Sequence, residues 1–206
     1  MTEGLKRDNV FINCPFDDGY RPIFDALVFA IFDLGLTARC AREVADSGEV
    51  RIKKIERIIA ECKFGIHDVP EVRLDAENNL PRFNMPLELG LFLGCKRFGG
   101  PKQRAKDCLI LDAEPYRYQK FISDIAGQDI RAHKGDPNLT IKAVRDWLAT
   151  ASTGNRRSPG GAAIVKHYLR FVSDLPQLCE SAELEADALT FSDLSELIDG
   201  WLITSR

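Results

Sequence analysis

Five times along this chain a short apolar run is followed by a segment with helical hydrophobic spacing, and that alternation leaves few folds open. Val10 to Asn13 reads as the first buried strand, closed by Cys14-Pro15. Asp17-Asp18-Gly19 then opens a helix with Ile23, Leu27, Ala30, Ile31 and Leu34 on one face. Leu36 to Arg42 is the second strand. Asp46 and Glu49 have capping-box spacing ahead of a helix that faces Ile55, Ile58, Ile59 and Cys62 inward. Lys53, Lys54, Glu56 and Arg57 fall on its wet side. Phe64 to Val69 is the third strand, and the loop after it, Pro70 to Phe83, is long for an α/β unit.

The next helix carries Glu88 and ends near Gly99-Gly100. Cys108 to Leu111 is the most apolar strand, ending at Asp112. A weaker helical segment, Tyr116 to Ile125, leads to a last strand around Ile130 to His133. Asn138 is placed to cap a helix with Ile141, Val144, Trp147 and Leu148 inside. The spacing therefore predicts an α/β domain over residues 1–150, a five-stranded parallel sheet with helices on both faces.

Residues 151–161 read as a linker by composition, within the run from Thr150 to Gly161. A helical appendage is expected over 162–206. Its first segment places Ile164, Val165, Tyr168, Leu169 and Val172 inside, and its second Leu194, Leu197, Ile198, Trp201 and Leu202. Thr190 and Asp193 frame the start of the second. Two short helices make a poor core alone, so they are expected to pack on the sheet domain or on another chain, as a homo-oligomer or with a partner protein.

Composition narrows the function classes. A net charge of −3 gives no general basic footprint for nucleic acid. The basic stretch from Arg97 to Lys106 is read as a solvated loop. The six cysteines are scattered without a CxxC pair, most of them inside apolar runs. The start of the chain is polar rather than a secretory signal, and Asp25 and Asp33 interrupt the longest apolar stretch. A cytoplasmic protein with no membrane span is expected. There is no GxxxxGK[ST], no GxGxxG after the first strand, no HExxH and no GxSxG, and the histidines are too dispersed for a zinc site.

Candidate chemistry gathers at one edge. In an open parallel sheet, ligands bind outside the carboxyl ends of the strands. Glu88 stands near the start of an apolar helix, Asn84-Met85-Pro86-Leu87-Glu88-Leu89-Gly90, and is the one charged side chain between Arg82 and Lys96. A first-turn carboxylate is held as an anion by the helix dipole, whether as an ordinary helix-start acid or as a reacting group. Asp68 ends the third strand and either faces the same crevice or caps the turn into Pro70. His67 points the other way and is read as structural. The first strand's exit, Asn13-Cys14-Pro15-Phe16-Asp17-Asp18-Gly19-Tyr20, and Arg42 with Glu43 after the second strand suit ribose or phosphate contact, while Arg42 and Glu43 equally suit an ion pair. Two carboxylates facing one crevice are what cleavage of a glycosidic bond needs.

Three of these segments carry a family resemblance. Val10-Phe11-Ile12-Asn13-Cys14-Pro15-Phe16 resembles the opening strand and turn of the nucleoside 2-deoxyribosyltransferase-like group and of its relative, the TIR domain. Ile66-His67-Asp68 resembles the strand whose terminal aspartate serves the deoxyribosyltransferase pocket. Leu87-Glu88-Leu89-Gly90 resembles the helix start that carries their catalytic glutamate. The resemblance covers roughly Val10 to Ala113 and implies a flavodoxin-like or TIR-like sheet. It makes Glu88 the catalytic glutamate, Asp68 an acid or ribose-orienting group, and Asn13 to Phe16, with Asn84 and Met85, the pocket wall. Arg82-Phe83-Asn84-Met85-Pro86 departs from the aspartate and small residues usual before that glutamate, which argues against a free nucleoside.

The resemblance implies an N-glycosidase acting on a nucleotide or dinucleotide, NAD foremost as substrate, with no resident cofactor or metal. By analogy with TIR proteins it also implies a bacterial antiviral effector. The rivals are a non-catalytic module that binds a nucleotide signal or assembles with other proteins, and a deoxyribosyltransferase proper.

Overall fold

The computed structural model describes residues 7–43, 46–69, 83–151 and 158–205. The expected loop over 70–82 and the middle of the expected linker, 152–157, lie outside the described residues. Five parallel strands form one sheet: β1 (Asn9–Asn13), β2 (Thr37–Cys40), β3 (Phe64–Asp68), β4 (Asp107–Asp112) and β5 (Ile130–Ala132). Their order is β2-β1-β3-β4-β5, consistent with a flavodoxin-like fold. Every strand overlaps a segment expected to be one, with each end within two residues of the expected limit.

Seven helices are present among the described residues: α1 (Arg21–Asp33), α2 (Arg51–Glu61), α3 (Asn84–Phe98), the four-residue α4 (Pro101–Arg104), α5 (Pro137–Thr150), α6 (Gly161–Ser181) and α7 (Phe191–Ser205). The period-2 alternation of β1 and β3 sorts their side chains between two faces. Val10, Ile12, Phe64 and Ile66 join the large core beneath α1 and α5, while Phe11 packs with Ile55, Ile58, Ile59 and Phe92 beneath α2 and α3.

From Ile23 to Asp33 every residue of α1 except the half-buried Asp25 is buried, because α6 and α7 form a third layer over it. Phe29 meets Tyr168, Phe171 and Trp201 at ring-centroid distances of 5.5, 5.3 and 5.9 Å. His167 Nδ1 lies 3.1 Å from the buried Asp33 carboxylate, tying α6 to the end of α1. The C-terminal helices therefore share the core of the sheet domain, one of the two arrangements expected of them.

Local differences from the expected elements have physical causes. In α6 the inward stripe is Ile164, Tyr168, Phe171 and Cys179, so Leu169 and Val172 are 55% and 44% exposed. Aromatic packing on Phe29 and Trp201 selects Phe171 over its smaller neighbours. The Asp46–Glu49 capping box does not form: α2 starts later, at Arg51, after Val50, while Asp46 accepts the Gly48 N–H and Glu49 pairs with Arg57. Lys54, expected on the wet side, is buried. The segment from Tyr116 to Ile125 makes two short 3-10 turns instead of a helix. Asp136, not Asn138, caps α5, accepting the Asn138 N–H at 2.8 Å with Pro137 in the first helical position. Lys106 is no solvated loop residue: it is buried, and its ammonium donates to the carbonyls of Ile59 and Cys62 that end α2.

Candidate functional site

The chain passes from β1 outward to β2 and then back across β1 to β3, so the strand order reverses beside β1, where a crevice opens at the carboxyl ends of such sheets. β1 and β3 are paired there, Ile12 opposite Ile66 and Asn13 opposite His67. The last strand residues and those just beyond them, Asn13, Cys14, His67 and Asp68, are all buried.

Asn13 is a latch beneath the expected pocket wall. Its amide nitrogen donates to the Met85 carbonyl at 2.8 Å and stands 3.1 Å from His67 Nδ1. Burial pushes the His67 ring down to about 3, so the ring is neutral and its Nδ1 accepts. His67 packs edge-on against Phe92, with centroids 4.8 Å apart, and ring and helix leave no space above Gly65: a Cβ there would stand 2.7 Å from Phe92. His67 points away from Asp68, as its strand parity predicted, and is fully buried against α3.

α3 begins one or two residues too early for Glu88 to stand in its first turn. Phe83 takes the cap position without a side-chain bond, Asn84 and Met85 are the first helical residues, and Glu88 is the fifth. The free N–H groups of the first turn are therefore spent before Glu88 is reached. Its side chain is 7% exposed, and no described residue donates a hydrogen bond to it. Burial pushes the carboxyl up from 4.5 to about 7, and the Arg51 guanidinium partly offsets this. The expectation of a dipole-held anion is thus reversed: desolvation outweighs a dipole whose influence fades beyond the first turn.

Cys14 feels both carboxylates. Burial pushes its thiol well up, and Asp68 and Glu88 each add to that, while Arg42 opposes it. Both acids are thus within electrostatic reach of one side chain. A thiol so shifted stays protonated and is no nucleophile.

Asp68 does not face the solvent. Its strand parity turns it toward the α1 side of the sheet, where it is 0% exposed and accepts the Tyr20 hydroxyl on Oδ2. His133 Nε2 lies 2.9 Å from the same oxygen. Asp68 and Glu88 therefore reach Cys14 from opposite faces of the sheet, rather than both lining an open cleft.

The rim is formed by Pro15, Phe16 and Arg42, the first two half-buried and the last exposed. Arg42 donates to the Phe16 carbonyl at 2.6 Å and lies 4.7 Å from the centre of its ring. Phe16 is itself held edge-on by Phe24, 5.4 Å away. Glu43 is bound instead by Arg39, at 2.5 Å, so the Arg42–Glu43 pair does not form.

Two residues at this edge, His133 and Arg51, escaped the sequence reading, while Tyr20 stood in the first strand's exit without a role of its own. Tyr20 ends the 3-10 turn Asp18–Tyr20, whose Asp17 accepts the Tyr20 N–H at 3.0 Å. His133 follows β5, and the strand-end rule that singled out Asp68 would have found it. Arg51 opens α2 and carried no signal. Among the described residues no group of three His, Cys, Asp or Glu side chains is placed to hold a metal ion.

No protein-family model matches this chain, and no curated protein matches it in sequence. The site's meaning rests on its own chemistry. No helix among the described residues is long and apolar enough to cross a membrane.

Proposed function

We propose that the protein is a TIR-like N-glycosidase that hydrolyses a nucleotide, most of all NAD, with Glu88 as the working carboxylate. One observation carries this reading: Glu88 is buried on the helix whose first turn is bound to the end of β1, at the strand-order reversal, with no donor from any described residue to its carboxylate. A carboxylate used only for structure would be expected to have a hydrogen-bond partner. The order of the three motifs that resemble the deoxyribosyltransferase and TIR groups supports the same assignment.

In its ionised form Glu88 attacks the anomeric carbon or stabilises the oxocarbenium-like transition state. The bond from that carbon to the nicotinamide nitrogen breaks with its electron pair going to the ring. The cationic ring leaves as neutral nicotinamide and needs no protein acid, which suits a site whose second carboxylate is held by Tyr20 and His133. Water supplies the new oxygen on the sugar, and its proton passes to Glu88 and then to solvent. Phe16 and Arg42 at the rim suit a base and a phosphate. The setting is cytoplasmic, and the role an antiviral one that depletes NAD.

A second reading is a nucleotide-binding or assembly module without turnover. It is favoured by the full burial of Asp68 and by Leu169, Val172 and Ile203 standing exposed on α6 and α7, where a second copy or a partner protein would dock. Purified wild type and Glu88→Gln, incubated with NAD and separately with deoxynucleosides, decide between them. Nicotinamide released by wild type and lost in the mutant supports the glycosidase. Base exchange from deoxynucleosides would favour a deoxyribosyltransferase, and nucleotide binding without any product would favour the module.

A further inference from the structure

Tyr20, Asp68 and His133 come from three distant segments and meet inside the carboxyl edge of the sheet. The Tyr20 hydroxyl donates to Asp68 Oδ2, and His133 Nε2 approaches the same oxygen to 2.9 Å. The other ring nitrogen of His133 accepts the Gly135 N–H at 3.0 Å. In a neutral ring, an accepting Nδ1 leaves the proton on Nε2, facing Asp68. The turn that supplies this N–H needs the left-handed backbone of Gly135, at φ +71°. The His133 N–H is off the line of a directed hydrogen bond, so its hold on Asp68 is electrostatic.

Asp68 Oδ1 receives no hydrogen bond from the described residues although it is buried. Burying a carboxylate this way costs stability that a packing role does not require. All three side chains are buried, Tyr20 at 8% exposure against 3% for His133 and 0% for Asp68, and Cys14 is within the electrostatic reach of Tyr20. Its one proton is committed to Asp68, so what it offers a ligand is the phenol oxygen's lone pairs.

We propose that Tyr20 is a hydrogen-bond acceptor for a hydroxyl of the ligand's pentose, and that Asp68 and His133 are positioning residues that act through it by holding its proton inward. The ligand class rests on the glycosidase reading above; the arrangement of the three side chains does not.

The test uses the full chain and ADP-ribose as the probe, with affinity measured by calorimetry. Tyr20→Phe should weaken binding about tenfold, the cost of one hydrogen bond to an oriented acceptor. His133→Leu should weaken it in the same direction, and His133→Gln, which keeps a donor at the Nε2 position, should restore most of the loss. Unchanged affinity in a folded Tyr20→Phe overturns the proposal. So does equal weakening by His133→Leu and His133→Gln, the mark of a packing role. Nitrogen-15 spectra of the ring in the ligand-free protein give an independent readout. They should show the Nε2–H form of His133, displaced in Asp68→Asn; identical spectra would overturn the positioning role. If wild type binds no ADP-ribose, the glycosidase reading and the ligand assignment fall together, whereas binding that ignores Tyr20 removes the acceptor role alone.

Discussion

Asn13 Nδ2 stands 2.8 Å from the Met85 carbonyl oxygen, so one side chain at the end of β1 fixes the first turn of the helix that carries Glu88. The same nitrogen reaches His67 Nδ1, which joins β1, β3 and α3 at a single buried point. Asn13→Ala should leave both acceptors without that donor and cost about 1–3 kcal/mol in a urea unfolding series. Asn13→Asp, equal in size but without the amide donor, should cost at least as much. A loss within error in both would show that the latch carries no weight.

Glu88 gives the protein a pH signature. Its carboxyl is pushed from 4.5 in an unstructured chain to about 7 in the fold. The folded state therefore holds the proton more tightly between those values. The associated stability is complete below the lower value, declines as pH rises, and is lost above the upper one. Wild type should lose up to about 3 kcal/mol across that window relative to Glu88→Gln, on the scale of the shift. A difference that stays flat with pH would mean that Glu88 titrates as an ordinary surface acid.

Arg51 is the counterweight to that burial. Arg51→Gln should move the Glu88 midpoint upward, and under the proposed glycosidase, in which the ionised carboxylate acts, the rise in kcat/KM for NAD should move with it. The pH profile of the mutant checks this directly. A midpoint that stays in place, or falls, would remove Arg51 from the site's electrostatics.

The C-terminal layer makes a sharp contrast between neighbours. Phe171→Ala removes a fully buried ring between Phe29 and Trp201 and should cost about 3–5 kcal/mol. Leu169→Ala, two residues away but exposed, should change stability by no more than about 0.5 kcal/mol. Thermal unfolding of the two proteins separates them.

Thr190 and Asp193 form the reciprocal cap that their spacing predicted. The Thr190 N–H and hydroxyl both reach Asp193 Oδ2, at 2.9 and 2.7 Å, and the Asp193 N–H returns to the Thr190 hydroxyl at 3.2 Å. Thr190→Ala should cost about 1 kcal/mol by chemical denaturation. A null effect would show that α7 is held by packing alone.

The strands were legible because each is a short apolar run bounded by turn residues, and a parallel sheet buried on both faces demands such runs. Glu88 and Asp68 stood out for the same reason: each interrupts apolar sequence at a strand end or helix start. What could not be read is the side from which each arrives. Asp68 sits on the α1 face and Glu88 rides α3 on the other, a relation set by crossover geometry rather than by local spacing. The start of α3 was misplaced because Asn84 and Pro86 both look like boundary residues, yet Phe83 holds the cap position without a side-chain bond. The pairing of Tyr20 and His133 with Asp68 could not be read because that partner lies 48 residues away for the one and on another strand for the other. Leu169 and Phe171 offered two apolar stripes on one helix, and only the aromatic surface of α1 chose between them.

Because α1 is enclosed between the sheet and the last two helices, the order of synthesis matters. Phe24, Phe29 and Phe32 leave the ribosome early, but the surfaces that cover them, on α6 and α7, are made more than a hundred residues later. The nascent chain must carry an uncovered aromatic helix throughout that interval. The turn that sets Tyr20 against Asp68 leads directly into this helix. A chain released before α7 would leave that helix open to chaperones and proteases.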